Sequence, residues 1–377
     1  MATSKPLYLE TPLVYSKHIS HALDANVYLK LDVLQPSQSY KYRGISHFVQ
    51  QALAAHGPGV HLVAASGGNA GLATACAGAA LGLRCTIVLP QGVAPATRAF
   101  FAMEGAEVLE RGTCYQHALD AARELVAASE HAVLVQAYDD PVLWDGHASM
   151  MTECAAQLPA GVTPDAVVCC VGGGGLAGGV MLGCERAGWG AVPLIAMETH
   201  GSSCFYQSLA LNARSGFAGA PQPPREGVQV LHDEQHDVRL AHLPTLTSRA
   251  SSLGASWPSP GIVRMALDRK GPVKSVCGVA QSHWDFGETL TSRSDEHKIM
   301  VELACATTLA PAYNKELFDK LVPPKPNGVR RNVIFIVCGG FKTSVAELTE
   351  FEQIAAADKA PDWEVWCNGE QWSILKQ

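Results

Sequence analysis

A chain of 377 residues, 47% hydrophobic and 17% charged, is long enough to bury a large core in two lobes, and this balance excludes an intrinsically disordered protein. A net charge of −7 and a pI near 6.0 leave no basic surface for a polyanion, which sets nucleic acid aside as a partner. The 12 cysteines follow neither a disulfide framework nor a zinc pattern, a usage suited to a reducing cytosol.

The first residues, Met1 to Pro6, lack the apolar run of a secretory signal, so a cytoplasmic protein is expected. Thr11 to Val14 reads as extended chain, and Ala25 to Asp32 as a strand rich in β-formers that Pro36 stops. Pro36 to Gly44 then places Lys41 between Tyr40 and Tyr42, ahead of a helix whose apolar positions Ile45, Phe48, Val49 and Leu53 have helical spacing. This puts Lys41 in a loop at the mouth of that helix. An amine walled by aromatic rings loses hydration, and desolvation favours the neutral form that attacks a carbonyl and makes a Schiff base. A lysine of that kind needs an anion cradle and a partner for a heterocyclic nitrogen elsewhere in the chain.

His61 to Ala65 is a short buried strand, followed by Ser66-Gly67-Gly68-Asn69-Ala70-Gly71 and an alanine-rich helix, an order that presents backbone N–H groups to an anion. Strands at 84–90, 107–110 and 132–136 alternate with helices at 94–104 and 115–129, which predicts a parallel sheet covered on both faces. Tyr138 to Pro141 breaks the pattern, and a helix is expected to open at Gly146-His147 and run to Leu158, with His147 a helix-start residue without chemistry. Ala166 to Cys184 is uncharged over the length of a membrane span, yet its four consecutive glycines, Gly172 to Gly175, mark a loop between a strand and a helix.

Another strand, Val192 to Met197, ends on Glu198. Residues 211–242 turn polar and proline-rich, with Pro221, Pro223 and Pro224, and suggest a surface insertion. Helices are expected near 262–270, 295–308 and 313–320. A last strong strand, Asn332 to Val337, delivers Cys338-Gly339-Gly340 at its carboxyl end, where open parallel sheets collect ligands. The tryptophan-rich tail after Ala357 points to no function.

Gly173-Gly174-Gly175-Leu176-Ala177-Gly178 formally satisfies the dinucleotide fingerprint, with Glu198 placed as a ribose-binding acid. That alternative leaves the Lys41 segment and the Ser66 to Gly71 turn unused. Four ordered motifs account for all of them: Ser39-Tyr40-Lys41-Tyr42-Arg43-Gly44, Ser66 to Gly71, Gly172-Gly173-Gly174-Gly175-Leu176, and Val337-Cys338-Gly339-Gly340. With these the chain resembles the serine/threonine dehydratases of the fold type II pyridoxal-phosphate enzymes, over about Thr11 to Val345, and within them the short catabolic L-serine dehydratases.

The resemblance implies an α/β fold of two lobes, each an open, mostly parallel sheet flanked by helices: residues 39–139 form a small lobe inserted into a larger one of 1–38 and 140–377. It implies pyridoxal phosphate bound as a Schiff base to Lys41, which then serves as base at the α-carbon, with Tyr40 over one ring face. Gly172, Gly173, Gly174, Gly175 and Leu176 would hold the phosphate, Asn69 the ring 3′-oxygen and Cys338 the pyridine nitrogen. Ser66, Asn69 and Ala70 would bind the substrate carboxylate, Ser66 would also carry a proton, and Tyr138 would line the pocket. Gly172, Glu198, Ser202, Leu253 and Ala255 correspond to a monovalent cation site for potassium.

The implied reaction is α,β-elimination of L-serine, and of L-threonine, to a 2-oxo acid and ammonia by a homodimer that needs neither membrane nor nucleic acid. Alternatives are a serine racemase, a β-replacement enzyme of the cysteine synthase kind, and a non-catalytic amino-acid sensor. The chain departs from the family text at Gln38, Tyr40, Gly67, Cys204 and Leu303, and at Phe341-Lys342, where a small residue and asparagine are typical.

Overall fold

Two separate sheets arise from the strand and helix alternation. The computed structural model describes residues 5–212, 217, 226–279 and 299–376. The first half of the chain runs β1 (Leu13–Tyr15), α1 (Lys17–Leu23), β2 (Ala25–Leu31), α2 (Lys41–His56), β3 (His61–Ala65), α3 (Asn69–Leu81), β4 (Arg84–Leu89), α4 (Pro95–Met103), β5 (Glu107–Glu110), α5 (Tyr115–Ala127), β6 (Ala132–Leu134), α6 (Pro141–Gln157), β7 (Ala166–Cys170), α7 (Gly175–Arg186) and β8 (Leu194–Thr199). It continues through α8 (Cys204–Asn212), β9 (Gln229–Asp233), β10 (Val238–His242), α9 (Pro260–Asp268), β11 (Val273–Val279), α10 (Leu303–Leu309), α11 (Lys315–Leu321), β12 (Arg331–Val337), α12 (Val345–Ala357), β13 (Asp362–Cys367) and β14 (Glu370–Leu375).

The smaller sheet has the order β5-β4-β3-β6, every pairing parallel. The larger has the order β1-β2-β12-β7-β8-β11-β13-β14; its five central strands are parallel, and antiparallel pairings close both edges. Strands buried on both faces are apolar without alternation, as in Ala166–Cys170 and Leu194–Met197. Ser66, Gly172 and Cys338 all leave the carboxyl ends of parallel strands, β3, β7 and β12. Among the described residues no helix is long and apolar enough to cross a membrane, and all twelve cysteines are free thiols.

The structure corrects several expectations. α6 starts at Pro141, not Gly146, because Asp140 caps it, its Oδ1 accepting the Val142 N–H at 2.8 Å with proline in the first turn. Only half of the 229–242 hairpin is surface: β9 is exposed, but Val238, Leu240 and Ala241 of β10 are buried, and the Ala241 N–H bonds Ser208 Oγ on α8 at 2.9 Å. The prolines at 221, 223 and 224 lie outside the described residues, as do 295–298 of the helix expected there. In the tryptophan-rich tail β13 pairs with β11 and extends the large sheet.

Candidate active site

Lys41 is the first residue of α2 rather than part of the loop before it. The approach is held against the end of β12: the Tyr40 N–H bonds the Cys338 carbonyl at 2.9 Å and the Gly340 N–H bonds the Gln38 carbonyl at 2.8 Å. The Lys41 ammonium donates to the Ala137 carbonyl and lies 5.4 Å from the centroid of the Tyr40 ring. Burial lowers its pKa from 10.5 to about 8, opposed by the nearby Cys170 and Cys338 thiols. Tyr42 is buried in the core.

Two glycine turns follow the ends of β3 and β7. At the exit of β3, a Cβ on Gly71 would fall 2.0 Å from the Ser66 carbonyl, so only glycine lets α3 start that close to the strand. Ser66 Oγ accepts the Gly68 N–H at 3.3 Å. At the exit of β7, the N–H groups of Gly172, Gly173 and Gly174 find no acceptor among the described residues, and Gly174 turns into α7 with φ of 100°. Tyr138 walls this loop: a Cβ on Gly173 would sit 2.5 Å from its ring, and its hydroxyl donates to the Trp257 carbonyl at 3.2 Å.

Cys338 lies at the mouth of β12, 3.6 Å from the Cys170 thiol. Its sulfur neighbours Cys170 and Cys305, together with burial, hold the Cys338 thiol well above its ordinary range, so it stays neutral. Asn69 is already engaged: its amide donates to Ser252 Oγ at 3.2 Å and to Glu302 at 3.2 and 3.3 Å, and its oxygen accepts the Phe341 N–H at 3.2 Å. Glu302 also accepts from Ser252 Oγ and, at 3.1 Å, from the Lys342 N–H. Ala70 is buried in the first turn of α3.

Neither Glu302 nor Ser252 stands out in the sequence as a site residue. The signal available was Val301-Glu302, an acid beside the buried run 303–309. His147 is the larger correction. It sits in the middle of α6, is 1% exposed, accepts the Gly44 N–H on Nδ1 at 3.1 Å, and its ring centroid is 5.0 Å from that of Tyr40.

The residues matched to a cation site converge in part. Ser202 Oγ donates to the Leu253 carbonyl at 2.6 Å, the Ala255 N–H reaches the same carbonyl at 2.8 Å, and Cys204 Sγ lies 3.6 Å from the Gly172 carbonyl. Glu198 is wholly buried, and its oxygens accept the Phe205 and Tyr206 N–H groups at 3.0 and 2.6 Å. Burial still pushes its carboxyl well above the usual range. A carboxyl enclosed in this way is not available to a ribose, which removes the support for a dinucleotide.

The ensemble fits pyridoxal phosphate: a dry amine, a loop of unpartnered N–H groups for a phosphate, and a neutral thiol at a strand end for the ring nitrogen. Comparison with known proteins agrees. The family model for pyridoxal-phosphate dependent enzymes matches residues 5–339. The chain is 34% identical over 367 residues to the human L-serine dehydratase/L-threonine deaminase, covering 96% of this chain and 100% of that one. Its fold is similar to the crystal structure of a fungal L-serine ammonia-lyase from Rhizomucor miehei, with a TM-score of 0.78 and 28% identity over 93% of this chain and 99% of the other. Maize serine racemase shares the fold, with a TM-score of 0.71 at 19% identity and coverage of 93% and 94%.

Proposed function

The chain belongs to the pyridoxal-phosphate dependent enzymes, in the serine dehydratase/threonine deaminase group of fold type II, and on that premise we propose that it deaminates L-serine to pyruvate, with L-threonine as a second substrate. The observation that carries this is the Cys338 thiol at the end of β12, whose backbone carbonyl receives the Tyr40 N–H beside Lys41. Pyridoxal phosphate, when bound, supplies an electron sink for the bond broken at the α-carbon. The protein's own groups do the rest. Lys41 Nζ would attach the cofactor and then take the α-proton. The N–H groups of Gly172 to Gly175 and Leu176 would hold the phosphate, and Tyr40 would cover the ring. Ser66 and the start of α3 would receive the substrate carboxylate, with Tyr138 as a wall of the pocket.

A thiol is a weak donor, so Cys338 would leave the pyridine nitrogen unprotonated, whereas a carboxylate there would hold the proton and prolong the negative charge. Short-lived charge favours loss of the β-hydroxyl over return of a proton to the opposite face, and hence elimination over racemisation. For Asn69 to reach a 3′-oxygen, its bond to Glu302 or to Ser252 must open. A potassium ion at Gly172, Glu198, Ser202, Leu253 and Ala255 belongs to the same proposal. Cys204, soft where a hard oxygen ligand suits such an ion, predicts weak affinity.

The test is an assay of purified protein with L-serine and L-threonine, with and without potassium. Pyruvate and 2-oxobutyrate are the expected products. D-serine as the main product would make it a racemase, turnover only with sulfide a β-replacement enzyme, and absence of any bound-cofactor absorbance a sensor.

A further inference from the structure

We infer that His147 is a positioning residue for Lys41 and Tyr40, capping α2 from the neighbouring helix as a neutral imidazole with its proton on Nε2. The inference rests on the assignment of Lys41 as the cofactor lysine. The first turn of a helix leaves N–H groups without helical acceptors. In α2 the Tyr42 and Arg43 N–H groups return to the Ser39 and Tyr40 carbonyls at 3.2 and 3.0 Å, and the side chain of the capping residue, Tyr40, offers no bond. The Gly44 N–H donates to a group outside the helix, His147 Nδ1, at 3.1 Å. That bond fixes the tautomer, because an Nδ1 that accepts cannot carry a proton.

The backbone is built around this contact. A Cβ on Gly44 would lie 2.5 Å from the Leu143 carbonyl and 2.6 Å from His147 Cε1; one on Gly146 would lie 2.7 Å from Gly44 Cα; one on Gly179 would lie 2.3 Å from His147 Cβ. Three glycines thus let α2, α6 and α7 close on a single imidazole. An apolar side chain would serve simple packing better, since His147 Nε2 is buried and has no acceptor among the described residues. What the imidazole adds is an acceptor one turn beyond Lys41 and a ring face inclined at 54° to Tyr40. Burial and the charges of Lys41, Arg43 and His47 keep it neutral, so the cap persists.

The test uses His147→Leu and His147→Asn as holoenzymes, and the wild type labelled with 15N-histidine. Misplacing a reacting group by a fraction of an ångström is costly, so His147→Leu is expected to lower kcat for L-serine about 10- to 100-fold with KM within about threefold, and to shift the visible band of the bound cofactor. His147→Asn can present an oxygen in place of Nδ1, and is expected to restore kcat to within about fivefold of wild type. The wild-type spectrum should show His147 as the neutral Nε2–H tautomer at pH 7.

Wild-type kcat and band in His147→Leu would overturn the inference, as would a folded His147→Asn no better than the leucine variant. If His147→Leu does not fold, the asparagine variant and the wild-type spectrum decide, and an imidazolium or an Nδ1–H tautomer overturns it. A wild type without any visible cofactor band would instead overturn the assignment of Lys41.

Discussion

Lys41 works as a nucleophile to the extent that it is neutral. With its pKa lowered to about 8, about one amine in ten is neutral at pH 7, against about one in three thousand for an ordinary lysine. The sign follows directly: raising the pH through about 8 increases the neutral fraction, and above it little more is gained. Covalent attachment of pyridoxal phosphate to the apoprotein, trapped by borohydride, should therefore rise to about pH 8 and level off; a rate still climbing at pH 10 would contradict a dry Lys41. Lys41→Ala should abolish attachment and turnover while the fold survives. Lys342 invites a second measurement. Its Nζ is 3.5 Å from the point where a Gly68 Cβ would stand, so its charge lies over the turn proposed for the substrate carboxylate. An exposed ion pair contributes up to about 1 kcal/mol, so Lys342→Asn should raise KM for L-serine about fivefold, leave kcat within about twofold, and flatten the salt dependence of kcat/KM. Unchanged KM and salt dependence would leave the lysine without a role in binding.

At the level of elements, α2 is anchored by charge as well as by packing. Arg43, two residues after the lysine, is buried and makes bidentate pairs with Asp32 at 2.7 and 2.9 Å and with Glu153 of α6 at 2.6 and 2.7 Å, while Lys30 reaches Glu153 at 2.6 Å. Two cations and two anions balance. Asp32→Asn leaves one buried positive charge uncompensated and should cost about 3–5 kcal/mol in urea unfolding; a loss under 1 kcal/mol would mean that water reaches the cluster. Much of this architecture was legible because it is local. Strand, glycine turn and helix at 61–81 and 166–186 sit within single stretches, and period and punctuation suffice to find them. Glycine used as punctuation also misled: Gly146 reads as a boundary, but it is glycine because Gly44, about a hundred residues earlier, passes against it. The roles of His147 and Glu302 depend on contacts of that same long range, which no spacing encodes. β10 was masked by the charged residues around it, and α1 and β11 were not anticipated because short runs carry too little periodicity.

For the whole molecule, the site draws on both sheets. Ser66 and Asn69 follow β3 of the four-stranded sheet; Gly172 and Cys338 follow β7 and β12 of the eight-stranded one. The sheets share no strand, but Leu62 and Ile87 on one side and Val168 and Phe335 on the other belong to one hydrophobic core, and at the site Asn69 bonds Ser252 and Glu302 while the Tyr40 N–H bonds the Cys338 carbonyl. A ligand whose phosphate rests on one sheet's loop and whose ring reaches the other's turn adds a polar connection to the shared core. Binding to the native state alone stabilises by about 2.7 kcal/mol at a hundredfold excess over Kd. For a chain of this size that is roughly 3 °C in Tm, and Lys41→Ala, which keeps the phosphate loop but loses the covalent link, should retain only part of it. The informative feature is where the stabilisation appears. Amide exchange should slow on cofactor addition in residues 66–72 and 172–178 together, in proportion to the rise in Tm. Protection confined to 172–178 would mean that the cofactor is held by one sheet only, and that the Ser66 turn serves the substrate without meeting the cofactor.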